Sequence, residues 1–273
     1  MQLILFSKIF RDREVDELVD LALEWGLEGY DLCVRPDYPI NPDNIAAELP
    51  GAVRQFAYNG LAVPLVTGHA DLLLPDHAMA ESFIAAVDEA DVRLVKLGYF
   101  KLDPQQDYWA EVGRVRQAFE GWARLGEKYN VKICYHTHSN RCMGLNASML
   151  MHLLKDLDPR YIGAYVDPGH LVAEGEEFAV ALAVVRRYLS LVSVKDVMLS
   201  RQDREGHGTL ARQWVQVGQG MVDWTTVFAD LAREGFDGPM SIHCEFHVAE
   251  DRFMAAVGEE IAFYKKMRDR VQN

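Results

Sequence analysis

The chain reads as a single (β/α)8 barrel spanning residues 1–273. Three observations predict it. Short apolar, β-branched runs alternate with longer amphipathic stretches from end to end; the alternation repeats eight times; and no linker-like, low-complexity or charge-block segment interrupts it. A length of 273 residues suits one such barrel, and 49% hydrophobic against 25% charged residues can fill its core.

The strands are expected at 2–6, 29–34, 62–68, 92–97, 131–136, 162–167, 190–195 and 239–245. Helices are expected at about 13–26, 43–57, 76–90, 106–129, 146–156, 176–188, 223–235 and 250–270, with Asp76, Asp107 and Asp223 placed to cap free N–H groups. An open doubly wound sheet would want a glycine-rich phosphate loop after the first strand, where Ser7, Lys8, Ile9 and Phe10 stand instead. The longest connection, from about Lys195 to Val222, carries His207 and Trp214 and suits a cover over the barrel rim.

A formal net charge of −13 repels polyanions and argues against nucleic acid or an anionic membrane as partner. The opening apolar run is five residues, short of a signal-peptide core or a membrane span, so a cytoplasmic location is expected. Cys33, Cys134, Cys142 and Cys244 lack zinc-ribbon or disulfide spacing and read as reduced thiols, the first, second and fourth as core packing. A small polar molecule is the expected partner. A homodimer is the commonest symmetric assembly, and the sequence leaves it open.

In such a barrel the site lies where strands end. Polar residues gather there: Asp31 and Arg35, His69 and Asp71, Lys96, His136 and His138, Asp167 and His170, Lys195 and Asp196, His243 and Glu245. Alternation along a strand puts His136 with His138, and His243 with Glu245, on one face. Imidazoles and carboxylates in such a ring can hold a divalent metal that polarises a carbonyl, or shuttle protons without one. Lys195 or Arg35 can neutralise an oxyanion; Arg35 and Asp196 can equally tie rim loops together.

At these residues the chain resembles the xylose isomerase-like barrel superfamily. The matching stretches are Gly29-Tyr30-Asp31-Leu32 with Arg35-Pro36, His136-Thr137-His138, Val166-Asp167-Pro168-Gly169-His170, Val194-Lys195-Asp196, Val217-Gly218-Gln219-Gly220-Met221-Val222-Asp223-Trp224, and Gly235-Phe236-Asp237-Gly238-Pro239. The resemblance implies chemistry on a sugar, cyclitol or related hydroxy-ketone: isomerisation, epimerisation or dehydration by proton abstraction beside a carbonyl. It also implies a metal site built from a strand-five Glu, a strand-six Asp, a strand-seven His and a strand-eight Glu. Here those positions hold His136, Asp167, Ser193 and His243, with Glu245 two residues later, and the second family Glu falls near Cys142.

The expected catalytic residues are therefore His136, His138, His170 and Lys195, with Arg35, His69, Lys96, Asp196 and Trp214 binding substrate. His136, Asp167, His243 and Glu245 are a rearranged ligand set for Mn²⁺, Zn²⁺, Mg²⁺ or Fe²⁺, and no organic cofactor is expected. Two other readings stand beside this one. A phosphodiesterase related to endonuclease IV would need several metals and a basic track; a metal-free carbohydrate-binding or regulatory barrel without catalysis would account for the altered ligand positions.

Overall fold

The computed structural model describes residues 1–272. Eight parallel strands close in the order β1-β10-β7-β6-β5-β4-β3-β2. They are β1 (Gln2–Phe6), β2 (Gly29–Cys33), β3 (Ala62–Thr67), β4 (Leu94–Lys96), β5 (Lys132–His136), β6 (Ile162–Val166), β7 (Leu189–Val194) and β10 (Pro239–Ile242). The outer ring comprises α1 (Val15–Trp25), α2 (Ile45–Tyr58), α3 (Ala80–Glu89), α4 (Tyr108–Tyr129), α5 (Ala147–Leu154), α6 (Pro168–Glu174), α7 (Phe178–Val185), α8 (Trp224–Arg233) and α9 (Phe253–Gln272). No described helix is long and apolar enough to cross a membrane.

Strand alternation divides the barrel wall. Outward residues such as Leu5, Leu32, Val66, Val95, Ile133, Val192 and Met240 join the helices in one continuous core. Inside, Ile4, Leu65, Cys134, Tyr165 and Leu191 form a separate buried plug with Leu94 against it. Two residues further along, the inward faces of β3, β4, β5 and β7 turn polar, while β1 presents Phe6. Thr67, Lys96, His136, Ser193 and, beside them, Asp31 and Ser241 are all buried. The barrel thus has an apolar floor and a polar ceiling, and the ceiling lies at the strand C-termini, where the site is expected.

Several expectations are corrected. Strand β10 ends at Ile242: His243 N makes the last ladder bond, to Val194 O, and Glu245 N then turns back to His243 O. Likewise β5 ends at His136, so His138 and Glu245 owe their positions to loops rather than to strand alternation. Helix α3 starts at Ala80 with Met79 before it, so Asp76 caps nothing there, whereas Asp107 and Asp223 do cap α4 and α8. The short α6 was not expected: Asp167 caps it through its bond from His170 N, and Pro168 sits in the first turn, where its missing N–H costs nothing.

The long connection is a regular antiparallel hairpin. Strands β8 (Asp196–Arg204) and β9 (His207–Val215) pair from Asp196↔Val215 to Arg204↔His207, and Gly206 takes φ +78° in the turn. His207 lies at its exposed tip, away from the barrel, while Trp214 lies at its base.

Candidate functional site

Asp167 anchors the mouth. Its Oδ1 accepts the α6 amide of His170 (2.9 Å) and its Oδ2 accepts the Ser193 hydroxyl (2.7 Å). Having donated its only hydrogen to Asp167, Ser193 Oγ can only accept from His136 Nε2, 2.7 Å away. Neutral His136 must then accept the Tyr99 hydroxyl at Nδ1, also at 2.7 Å. The result is a directed chain, Tyr99 to His136 to Ser193 to Asp167. Burial, followed by the Lys96 charge, holds the His136 pKa well below its ordinary value, which keeps the ring neutral as the chain requires.

The same reasoning fixes two further tautomers. His138 Nδ1 faces the carbonyl of Ser139 (2.9 Å), which can only accept, so Nδ1 carries the proton and Nε2 keeps its lone pair. His170 Nδ1 receives the Ser139 amide (3.2 Å) and lies 2.9 Å from the Ser139 hydroxyl, so the ring proton sits on Nε2. That Nε2 is buried and has no hydrogen-bond partner among the described residues. A buried donor left without a partner costs about 1–3 kcal/mol, which a ligand oxygen would recover. The two rings are in contact, with centroids 3.9 Å apart. Burial, then Lys195, lowers the His138 pKa to about 4, and the same two causes hold His170 well below its usual value.

Lys195 stands beside them. Its Nζ is 2.6 Å from Glu245 Oε2 and 3.7 Å from Asp167 Oδ2, under the Trp214 ring at 4.5 Å. Trp214 also meets His170 edge-on at 4.7 Å, so the hairpin base covers both. Glu245 accepts Lys8 as well, at 2.7 Å. Burial pushes the Glu245 carboxyl upward, but attraction from Lys195 and its neighbours outweighs it and holds the pKa well below the carboxylate range.

The barrel therefore brings together His136, His138, Asp167, His170, Lys195, Trp214 and Glu245. Lys96 lies on the same ceiling, against Tyr99. His243 lies on the β10 side with its ring 6.0 Å from that of His136, tilted against Phe6 at 4.7 Å and 3.0 Å from the Tyr165 hydroxyl. Asp31 lies beneath it, bonded to Thr67 and Ser241, and burial raises its pKa to about 6 despite those bonds. Arg35 borders the mouth over Phe6, donating to Gly68 O.

Two substrate-binding expectations change. His69 pairs with Asp71 at 3.7 Å and lines a cavity of about 270 Å³ beside the mouth with Pro36, His77 and Phe83. Asp196 is a structural anchor. Its carboxylate accepts Val197 N, Gly218 N, Gly220 N, Val222 N and the Trp224 indole, which occupies its lone pairs. The Gly-x-Gly stretch exists for this contact: a Cβ at Gly220 would lie 2.1 Å from Asp196 Oδ1.

The expected metal set does not assemble. Among the described residues no group of three or more His, Cys, Asp and Glu side chains converges to hold a metal. Both His136 nitrogens are engaged, the Lys195 ammonium occupies the space between Asp167 and Glu245, and His243 Nε2 is engaged with the Tyr165 hydroxyl. The residues present do not fit a divalent ion, because a fixed cation already faces the carboxylates that would attract one.

Sequence reasoning missed Tyr99, Ser139 and Lys8. Tyr99 stands three residues past Lys96, a rim aromatic that strand-end reasoning could have included. Ser139 acts largely through its backbone, which leaves no signature in the sequence. Cys142, whose role the sequence left open, has its Sγ 3.4 Å from His138 Nδ1 and 3.0 Å from Lys101 Nζ.

Residues 19–267 match the family described as xylose isomerase-like TIM barrel. The chain belongs to that family. Over 138 residues it is 26% identical to an inosose dehydratase of Lacticaseibacillus casei, a stretch covering 46% of this chain and 45% of that protein. The chain thus spans less than half of that relative's length. Among solved structures it resembles 3-keto-D-glucoside 4-epimerase from E. coli, with TM-score 0.73, 16% identity and coverage of 97% and 99% of the two chains. It also resembles a probable 3-DHS dehydratase from Bacillus anthracis, with TM-score 0.72, 16% identity and the same coverage. At these identities the structures establish the shared fold.

Proposed function

We propose that this barrel is an enzyme that removes a proton beside a carbonyl of a sugar, cyclitol or related hydroxy-ketone, leading to isomerisation, epimerisation or dehydration. The observation that carries the reading is the His138/His170 pair: two neutral imidazoles in contact, one with a free Nε2 lone pair and the other with an Nε2–H that makes no hydrogen bond, Asp167 Oδ2 standing 3.9 Å away. A base and a donor side by side suit the two ends of an enolisation, proton removal from carbon and stabilisation of the oxygen that gains charge.

In this mechanism His138 Nε2 takes the proton. His170 Nε2–H donates to the carbonyl oxygen, and the Lys195 ammonium, held by Glu245, stabilises the charge that develops there. The directed chain through His136 and Ser193 orients Asp167, and Asp167 in turn caps the helix that carries His170. Trp214 excludes water and offers an aromatic face to a sugar ring. The names of the dehydratase and epimerase relatives support a polyhydroxylated substrate. No step is assigned to a metal.

Proton exchange tests the reading. Ketoses and inososes incubated with the protein in D₂O should gain deuterium beside the carbonyl, and His138→Gln should lower the rate by about 100-fold or more, the scale of general-base catalysis. Compounds that bind to saturation and are recovered unlabelled and unchanged would convert the reading to a carbohydrate-binding barrel.

A further inference from the structure

Lys96 differs from the other cations of the mouth. It closes β4 two residues beyond Leu94, which places it on the inward face above the apolar floor, and it is 3% exposed. Lys195 and Lys8 are both tied to Glu245, and Arg35 donates to Gly68 O. Among the described residues Lys96 Nζ makes no hydrogen bond and no ion pair; it lies over the Tyr99 ring, 4.1 Å from the centroid. Tyr99 in turn touches both His136 and His138, with the His138 ring 4.2 Å away, so a single aromatic ring contacts the amine, His136 and the proposed base.

A buried ammonium with no acceptor is costly, and the molecule lessens that cost by releasing the proton. Burial, then repulsion from Arg35, lowers the Lys96 pKa to about 7, so near neutral pH much of it is a free amine. An amine desolvated among other cations is the arrangement that makes lysine a nucleophile toward carbonyls.

We propose that Lys96 is a catalytic nucleophile that condenses with the substrate carbonyl to form an iminium, an inference that rests on the hydroxy-ketone reading above. The Nζ lone pair forms the C–N bond while the C=O π pair moves to oxygen. Proton transfer from nitrogen to oxygen gives a carbinolamine. One further proton from solvent lets that oxygen leave as water, so amine, ketone and one proton become iminium and water; on this route His170 Nε2–H and Lys195 hold the oxygen during addition and departure, and the iminium replaces the oxyanion as the group that takes up charge. The iminium draws electrons from the adjacent C–H bond, and loss of that proton to His138 leaves an enamine. Lys96 would thus supply the electron sink in a site whose carboxylates already hold an ammonium.

Reductive trapping decides the matter. The full-length protein is incubated with dihydroxyacetone, D-fructose or scyllo-inosose, each with sodium cyanoborohydride as hydride donor. Intact mass and peptide mapping are then read alongside thermal-shift titrations of the same compounds without reductant. The expected result is a saturable gain of one reduced ligand per chain, mapped to Lys96 in the unaltered protein and lost in Lys96→Arg and Lys96→Met. Because the peptide map locates the label in the native chain, the result stands even if a variant folds poorly. A compound that saturably shifts the melting temperature yet leaves Lys96 unlabelled would overturn the amine's role while the hydroxy-ketone reading stands. Neither shift nor label with any of the three would overturn both.

Discussion

Replacing Asp196 with Ala tests whether this residue holds the fold or the ligand. The substitution removes the acceptor for Val197 N at 2.9 Å, Gly218 N at 2.9 Å, Gly220 N at 3.1 Å, Val222 N at 3.2 Å and Trp224 Nε1 at 3.3 Å. Val197, Val222 and Trp224 are buried, whereas Gly218 is exposed and can turn to water. Three buried donors left unpaired at about 1–3 kcal/mol each, partly relieved by water entering the space of the lost carboxylate, give an expected loss of about 4 kcal/mol. Set against a typical total of about 5–15 kcal/mol, that loss is readily measured by urea denaturation with the slope checked for constancy. Asp196→Asn keeps one acceptor oxygen and should recover about half of it. Gly220→Ala should fail similarly, since its Cβ would meet both Asp196 Oδ1 at 2.1 Å and the Val197 carbonyl at 2.7 Å, and the carbonyl cannot rotate away. A loss below about 1 kcal/mol combined with abolished ligand binding would refute the anchor and restore a substrate contact.

Four further outcomes are expected. The folded state should weaken as pH falls from about 6.5 toward 4, followed as the urea midpoint. His136, His138, His170 and His243 all have lowered folded pKa values, so their contribution is present above the unfolded value near 6.5 and is lost on acidification, while Asp31, raised to about 6, and Glu260, raised to about 8, oppose them; a midpoint rising on acidification would contradict the burial of these rings. Nitrogen NMR of labelled histidine should show the proton on Nδ1 of His138 and on Nε2 of His170, and the opposite pair of tautomers would remove the basis for the base and donor roles. Calorimetry with Mn²⁺ and Zn²⁺ should give no stoichiometric binding to the native protein, whereas Lys195→Ala, which frees Asp167 and Glu245, should gain it; tight binding by the native chain would mean that Lys195 yields its place. Trp214→Ala should weaken ligand binding roughly 10-fold through the loss of ring contact over Lys195 and His170, and unchanged affinity would show that the hairpin does not cover the ligand.

The sequence alone determined the eightfold βα rhythm, the single barrel and the end of the barrel at which buried polar groups collect. Those follow from local periodicity, because an apolar run of period two and an amphipathic stretch of period 3.6 bury their faces in only a few ways. It also brought forward most of the mouth: His136, His138, Asp167, His170, Lys195 and Glu245 were all legible as polar groups where strands end. Its errors have one cause. Composition at a strand end does not say how lone pairs and protons are already spent, so Asp196 reads as a ligand group until five donors are found around it, and His136 reads as a metal ligand until Tyr99 and Ser193 take both its nitrogens. Only the tertiary structure decided which cation faces which carboxylate, which tautomer each imidazole adopts, and that Lys96 is buried without an acceptor. Those are properties of neighbours distant in the chain, such as Lys195 with Glu245 or Ser193 with Asp167, and they come into being when the barrel closes.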